Sequence, residues 1–334
     1  MRHYVLIALL ASLSACKDMG GPGPVDAKKF LSSLDGPKVP TMQDTLLESA
    51  RAAEAQGNYN QAMVMYSQAA AKYPNNKEVS IMFADSIRRS GEYDRAIVFY
   101  DDLLTKDPSL LSAKEGKALA MMAKGDFETP VTLFQEIMAV DATRWKTLNG
   151  LGILFTTRGM TADAQKYYDE ALKHSPANAA ILNNMGLSMA LDRKFDQAID
   201  QLKQSVSATT VGGAQRRQVE LNLALVYGAA GRLDEARMIA ENYFTGPALN
   251  NNLGLYAHLS KDDQMAKAYL NMALTESKTF YQKAWDNLQQ LGNKGTPVNN
   301  TSVIVRTGDT YEAAPFIAAT EEPVKTKSKK KSKR

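Results

Sequence analysis

The feature that most constrains this chain is a small residue that returns at a nearly fixed interval. The series is Ala62, Ala96, Pro130, Ala164, Ala198, Ala236 and Ala266. Its intervals are 34, 34, 34, 34, 38 and 30 residues, so the last two also average 34. A constant period of this length indicates a repeat array, in which each unit packs against its neighbours along a continuous core. The 334 residues can therefore carry one long repeat domain.

Each repeat is predicted to consist of two helices joined by a turn, as the fourth repeat illustrates. Leu151 and Phe155 lie four residues apart on one apolar helical face. Gly159 follows where a helix end requires a left-handed residue. Gly152 and Ala164 are predicted to be small because two helix backbones approach closely there and large aromatic side chains fill the remaining space. The repeats are predicted to begin near residues 43, 77, 111, 145, 179, 217 and 247.

The period and a recurring glycine-containing phrase resemble tetratricopeptide repeats. The phrase occurs as Gly57-Asn58-Tyr59, Gly91-Glu92-Tyr93 and Gly125-Asp126-Phe127. This resemblance implies an all-α fold, a right-handed superhelical solenoid of about seven repeats plus a capping helix, over residues 43–291. Solenoids of this kind mostly hold other proteins, so the resemblance also implies a protein-binding function.

Several departures from the period predict local irregularity. Four residues are inserted around 209–213, so the turn between the fifth and sixth repeats should be longer than the others. The sixth repeat should then be short and end near Gly246 and Pro247. Pro130 is expected within the first turn of its helix, where proline is tolerated. Residues 280–288 fit a capping helix that ends at Gly292.

The first fifteen residues are predicted to be a lipoprotein signal peptide. A polar start is followed by an apolar stretch over 4–13, which is too short to span a bilayer. It ends in Leu13-Ser14-Ala15-Cys16, which resembles a bacterial lipobox, and Cys16 is the only cysteine. Cys16 is the predicted lipidation site, and residues 16–42 form a predicted flexible tether rich in glycine and proline. Lys17 favours sorting to the outer membrane, as in other lipoproteins. The alternative is an ordinary signal peptide with a chance cysteine.

The net charge of +4 is concentrated at the C-terminus. Residues 325–334 hold seven of the 40 Lys and Arg residues and no acid, and removing these seven charges leaves −3 for the rest. Residues 292–334 lack helical periodicity and are predicted to be a disordered tail. Its basic end could contact anionic lipid, contact an acidic partner, or remain solvated. Nucleic acid is not expected outside the cytoplasm.

The sequence contains no recognisable catalytic or cofactor-binding pattern. The histidines are His3, His174 and His258, and no second cysteine is available to complete a zinc site with them. No glycine-rich phosphate loop precedes a helix, and no nucleophile elbow or catalytic carboxylate pair stands out. We therefore predict no enzymatic activity, no cofactor and no metal.

Polar residues on the first helices are the candidate ligand contacts, because these helices line the concave groove in tetratricopeptide solenoids. Asn149, Asn183 and Asn251 share one position in three repeats, and could clamp the backbone of an extended peptide. Leu187 and Leu255, one turn further on, would form an apolar floor, or else simply pack between helices. The next position holds Asn184, Asn222 and Asn252, for which hydrogen bonds between neighbouring repeats are favoured.

Several longer stretches resemble the TadD lipoproteins of the tight-adherence (Flp, type IVc) pilus machinery. They are Leu182-Asn183-Asn184-Met185-Gly186-Leu187, Glu220-Leu221-Asn222-Leu223-Ala224, Gly231-Arg232-Leu233-Asp234-Glu235-Ala236 and Asn251-Asn252-Leu253. With the lipobox, this resemblance implies an outer-membrane-anchored, pilotin-like scaffold that faces the periplasm of a Gram-negative bacterium. Its partner would be a secretin or another component of Flp pilus assembly. The alternative is a repeat lipoprotein for outer-membrane barrel assembly or for tethering peptidoglycan hydrolases.

Overall fold

A computed structural model describes residues 42–292, which form fifteen α-helices and no strand. The helices are α1 (Met42–Ala55), α2 (Tyr59–Lys72), α3 (Lys77–Arg89), α4 (Tyr93–Lys106), α5 (Leu111–Ala123), α6 (Thr129–Val140), α7 (Trp145–Thr157), α8 (Thr161–His174), α9 (Ala179–Leu191), α10 (Phe195–Ser207), α11 (Ala214–Ala229), α12 (Leu233–Ala240), α13 (Gly246–Leu259), α14 (Asp263–Glu276) and α15 (Gln282–Gly292). Cys16, the predicted tether and the predicted tail beyond Gly292 lie outside the described residues.

The helices form seven consecutive pairs, and α15 packs on the last pair as a cap. The all-α repeat fold with seven units and a capping helix is thus confirmed. First helices also contact one another between repeats, as α9 does with α11 and α11 with α13. They therefore lie on the inner side of the curved array. The sixth first helix begins at Ala214 instead of the predicted 217, because residues 214–217 are good helix formers.

Glycines on the first helices make room for aromatic side chains on the second helices. A Cβ atom on Gly152 would lie 2.4 Å from Cε1 of Tyr168, and one on Gly116 would lie 2.4 Å from Cζ of Tyr100. Both tyrosines are fully buried. The predicted close approach at Gly152 is therefore confirmed, and the aromatic ring occupies the space that a side chain would fill.

The irregular part of the array lies where the sequence inserts residues. Residues 208–213 connect α10 to α11, whereas four residues make each of the four earlier connections between repeats. The predicted longer turn is thus confirmed. The second helix of the sixth repeat, α12, has only eight residues. Gly246 and Pro247 begin α13, so the short sixth repeat ends close to the predicted position and the seventh begins near residue 247, as predicted. Pro130 lies in the first turn of α6, as predicted.

The first repeat touches the start of the sixth. A Cβ atom built on Gly57, in the turn after α1, would lie 3.0 Å from Cβ of Ala214. A Cβ atom on Gly213 would lie 3.5 Å from the carbonyl oxygen of Ala55. The inserted turn is thus the place where two repeats that are far apart in the array meet.

Acid should weaken the turns that follow α4 and α6. The Asp107 carboxylate accepts hydrogen bonds from Lys77 Nζ (2.6 Å) and from Ser109, which lower its pKa to about 2. Hydrogen bonds from the Thr143 hydroxyl and amide lower the pKa of Asp141 as well. Because both values fall below those of the unfolded chain, their stabilisation is present above pH ~4 and lost as the pH falls towards 2.

Thermal unfolding between pH 5 and pH 2 measures this loss. The double variant Asp107→Asn, Asp141→Asn keeps an amide oxygen as acceptor but cannot titrate, so its melting temperature should fall less steeply with acid. An equally steep fall in both proteins would contradict the assignment to these two carboxyl groups.

Candidate protein-binding surface

The five predicted contact residues lie on first helices in the C-terminal half of the array. Asn149 is on α7, Asn183 and Leu187 are on α9, and Asn251 and Leu255 are on α13. All five are buried in this conformation, with at most 3% of any of them exposed. A partner could reach them only if neighbouring repeats moved apart, and ligand contact therefore stays a prediction for these residues.

Hydrogen-bonded amides connect three successive repeats through these positions. Asn184 Nδ2 donates to Asn149 Oδ1 at 3.1 Å, across the boundary between the fourth and fifth repeats. Asn183 Nδ2 donates to Asn184 Oδ1 at 3.3 Å within α9. Asn222 Nδ2 then donates to Asn183 Oδ1 at 2.8 Å, which reaches the sixth repeat. We call these four residues the amide chain. Buried amides bonded in this way fix the register between repeats, because separating them would leave polar groups without water.

The C-terminal repeat shows a second form of the same arrangement. Asn287 Nδ2 of the capping helix donates to Asn251 Oδ1 at 2.9 Å. Asn252 instead donates to the carbonyl oxygen of Ala248, within its own helix, at 2.8 Å. The expected bonds between repeats are therefore confirmed for Asn184 and Asn222 and wrong for Asn252.

The repeat pattern missed Glu115, which precedes Asn149 by one 34-residue period. Glu115 is buried, and its carboxylate accepts hydrogen bonds from Arg144 Nη2 at 2.9 Å and Thr147 Oγ1 at 2.7 Å. Both donors belong to the junction with the fourth repeat. The shared position therefore binds the next repeat whether it holds a carboxylate or an amide. Glu115 follows the 34-residue spacing of Asn149 and Asn183, but a search for asparagine at this position does not find a glutamate.

Charged residues at the junction of the first two repeats are paired with each other. Arg89 forms an ion pair with Glu54 at 2.7 Å, and Arg88 forms one with Asp85 at 3.2 Å. The Tyr100 hydroxyl bonds to both Arg88 and Asp85. Burial and the neighbouring Asp85 charge raise the pKa of Tyr100 well above its ordinary value, so it stays a neutral donor. Arg88 and Arg89 are therefore structural at this junction.

An apolar groove opens between the third and fourth repeats, with a volume of about 310 Å³. The residues that line it come from α6, α7 and α8. They are Val131, Gln135, Met138, Leu151, Leu154, Phe155, Arg158 and Tyr167. The rings of Phe155 and Tyr167 are stacked with centroids 5.1 Å apart. We call this feature the inter-repeat groove, and its lining suits apolar side chains of a partner with a polar group near Arg158.

The groove is lined at two positions that carry charges in the preceding repeat junction. At the junction of the second and third repeats, Lys117 pairs with Asp101 at 2.6 Å. One period later these positions hold the uncharged residues Leu151 and Gln135, and both line the inter-repeat groove. No catalytic or binding motif marks these two positions in the sequence.

The described residues contain no group of three His, Cys, Asp or Glu side chains that could hold a metal ion. Between residues 42 and 292, no helix is both long enough and apolar enough to cross a membrane.

Comparison with known proteins identifies the repeats. Two family models described as tetratricopeptide repeat match residues 53–120 and residues 150–210. No curated protein matches the chain significantly.

Solved structures of helical-repeat proteins resemble the array at low sequence identity. PilW, described as a widely conserved type IV pilus biogenesis factor, is 20% identical with a TM-score of 0.51, over 65% of this chain and 98% of PilW. Human IFIT1, solved as a dimer with m7Gppp-AAAA, is 16% identical with a TM-score of 0.58, over 80% of this chain and 66% of that chain. The APC/C hetero-tetramer Cut9-Hcn1 is 15% identical with a TM-score of 0.53, over 80% of this chain and 58% of that chain. At these identities the likeness concerns the fold alone.

Seven helix pairs stacked in order, with a cap at the end, define a solenoid protein of the helical-repeat class. Arrays of this class present extended surfaces to other proteins. The family models make the assignment more specific: residues 53–120 and 150–210 match tetratricopeptide repeats, and the described array has the fold of a tetratricopeptide-repeat solenoid.

Proposed function

We propose that this protein is an outer-membrane-anchored scaffold that binds a secretin, or another pilus component, during assembly of the Flp pilus. The observation that carries the proposal is an array of seven repeats that follows a lipobox in one chain. The array supplies the binding surface, and acylated Cys16 would hold it at the membrane. Scaffolding needs no catalytic group or cofactor, and we propose neither for this protein.

The anchor part of the proposal rests on Cys16 and the residues before it. Acylation of the thiol and the new amino terminus would attach several fatty chains, and each buried CH₂ contributes about 0.8 kcal/mol to membrane binding. More than one chain is needed for stable attachment. The predicted tether over 16–42 would then let the array reach a partner beside the membrane, and the basic end of the tail could add contacts with anionic lipid.

The pilus part of the proposal rests on the TadD-like phrases along α9, α11 and α12. These phrases include three of the four residues of the amide chain, whose bonds fix the register of the array between the fourth and sixth repeats. PilW shares the fold and is described as a type IV pilus factor, which is compatible with this role. Within the proposal, the inter-repeat groove receives apolar side chains of the pilus component. Asn149, Asn183, Leu187, Asn251 and Leu255 remain proposed contacts on the inner side.

Replacing Cys16 with serine should release the protein from the outer membrane, because the hydroxyl does not receive the diacylglyceryl group. Membrane fractionation should find the variant in the soluble periplasmic fraction, and co-purification of the secretin from detergent-solubilised membranes should fall strongly. Ser14→Ala keeps a small residue in the lipobox and should behave like the unaltered protein. A Cys16→Ser protein that stays in the outer membrane would disprove the anchor.

The binding surface is tested by a pair of lysine substitutions on the same helix. Met138 lines the inter-repeat groove, whereas Val140 is 73% exposed two residues further along α6. Met138→Lys should reduce recovery of the secretin, and Val140→Lys should not. Equal recovery would exclude the groove, and no secretin or pilus component with any variant would disprove the pilus function. Normal piliation with altered envelope permeability in a deletion strain would instead favour barrel assembly or peptidoglycan hydrolase tethering.

A further inference from the structure

The contact between the first and sixth repeats is unlike the other contacts of the array. In a repeat solenoid each unit normally touches only its neighbours. Here the turn after α1 meets the inserted turn before α11, through Gly57 and Ala214 on one side and Ala55 and Gly213 on the other. The two contact points are separated by four intervening repeats. A contact of this kind joins two units of the array that are not neighbours.

The equivalent turns of other repeats make no such contact. Gly57 has a φ of +79°, and Gly91, Gly159 and Gly231 occupy the same turn with φ between +75° and +90°. A Cβ atom on any of these three glycines would meet nothing within 4 Å. Backbone conformation is thus the same in these four turns, and among them Gly57 alone is packed against a distant repeat. The contact therefore belongs to this position and is not a general property of the turn.

The inserted turn is held in place at its base. The Thr209 hydroxyl donates to the carbonyl oxygen of Val206 at 2.6 Å, and Arg216 Nη1 donates to the same oxygen at 3.2 Å. Arg216 also pairs with Glu220 at 2.8 Å. The tip residue, Val211, is 83% exposed. The hydrogen bonds at its base fix the position of this turn, so that it can hold the first repeat against the sixth.

The contact between the two turns is made by small groups. Gly57, Gly213 and Ala214 bring no long side chain to it. The first and sixth repeats share few atoms at these points, so opening the contact should require less free energy than separating neighbouring repeats.

We propose that residues 208–213 form a clasp that holds the first repeat against the sixth, and that its release admits a partner segment to the inner side of the array. The clasp is a feature of the fold alone, whereas the admission of a partner rests on the proposed function. The proposal gives a purpose to the longer connection at this junction, which has six residues where the four earlier connections have four.

Engineered cysteines test the closure directly. In the full chain with Cys16→Ser, the pair Gly57→Cys, Ala214→Cys would be the only thiols, and their Cβ atoms would lie near the spacing of a disulfide. Mild oxidation should form an internal bond, seen as a faster band on a non-reducing gel. The control pair Gly91→Cys, Ala214→Cys should not form it. Equal cross-linking of both pairs, or of neither, would overturn the clasp.

Matched asparagine substitutions test whether the clasp sets the shape of the array. Gly57→Asn and Gly91→Asn place the same left-handed-tolerant residue at equivalent turns, so their intrinsic strain is similar. Only Gly57→Asn pushes a side chain into Ala214. Its radius of gyration in X-ray scattering should increase, and the amides of residues 213–217 should exchange faster, while Gly91→Asn stays like the parent. Identical behaviour of the two variants would overturn the proposal.

The admission step is tested with the secretin on the cross-linked protein. Oxidised Gly57→Cys, Ala214→Cys should retain several-fold less secretin than the same protein after reduction. Equal retention in both forms would overturn the gating role of the clasp. If neither the oxidised nor the reduced protein retains the secretin, and the control pair retains none either, the proposed function is disproved. The cross-linking result would still test the closure.

Discussion

Replacing Tyr168 with alanine should lower the free energy of unfolding by about 3–5 kcal/mol, the range for removing a large aromatic side chain from a core. Tyr168 is completely buried, and its ring fills the space beside Gly152 where the two helices of the fourth repeat approach. Its hydroxyl also lies 3.2 Å from Thr156 Oγ1. Truncation would leave both a cavity and an altered hydrogen-bonding site. Urea unfolding followed by circular dichroism measures the change.

The neighbouring Tyr167 provides the matched control. It is partly exposed and lines the inter-repeat groove, so Tyr167→Ala should lower the free energy of unfolding much less. The reverse change, Gly152→Ala, adds a methyl group against the same ring and should destabilise by about 1–3 kcal/mol through overpacking. Equal losses for Tyr167→Ala and Tyr168→Ala would contradict the assigned packing.

Replacing Asn184 with leucine should lower the free energy of unfolding by about 2–4 kcal/mol. The substitution removes the donor to Asn149 Oδ1 and the acceptor for Asn183 Nδ2, and both groups are buried. A buried polar group that loses its partner costs about 1–3 kcal/mol. Denaturant unfolding measures this loss, and exchange of amides along α9 should report loosening at the junction between the fourth and fifth repeats.

Asn252→Leu is the control for this prediction. Asn252 occupies the same position, but its side-chain amide donates to the carbonyl oxygen of Ala248 within its own helix. Its loss should be clearly smaller. The double variant Asn149→Leu, Asn184→Leu removes two of the facing polar groups together, and it should cost less than the sum of the two single changes. Strict additivity, or equal losses for Asn184→Leu and Asn252→Leu, would show that the amide chain does not join the repeats.

The repeat period predicts most of the fold, because every repeat meets the same local requirements. The small residues, the turn at Gly159 and the proline at the start of α6 each have a local physical reason. The predicted first-helix starts therefore agree with the structure except in the sixth repeat, where helix-forming residues extend α11. The long turn was also predictable, since an insertion in a strict period must be accommodated outside the helices.

The candidate site was harder to predict because it depends on relations between repeats. Glu115 replaces an amide by a carboxylate at the same position, and its partner Arg144 comes from the next junction. Arg89 is paired with Glu54, 35 residues earlier, so a single helix gives no indication that it is neutralised. The contact of Gly57 with Ala214 joins residues that no period relates. Patterns within one repeat do not contain this information.

The junctions of this array respond to different solution conditions. Between the second and fourth repeats, exposed ion pairs join Lys117 to Asp101 and Arg158 to Glu128. Between the fourth and sixth repeats, hydrogen bonds between buried asparagine amides join the repeats instead. Dissolved salt weakens ion pairs between exposed side chains, whereas it scarcely affects hydrogen bonds between buried amides. As salinity rises, the exposed pairs at the junctions of the second with the third repeat and of the third with the fourth should therefore weaken, while the buried contacts of Glu115 and the amide chain persist.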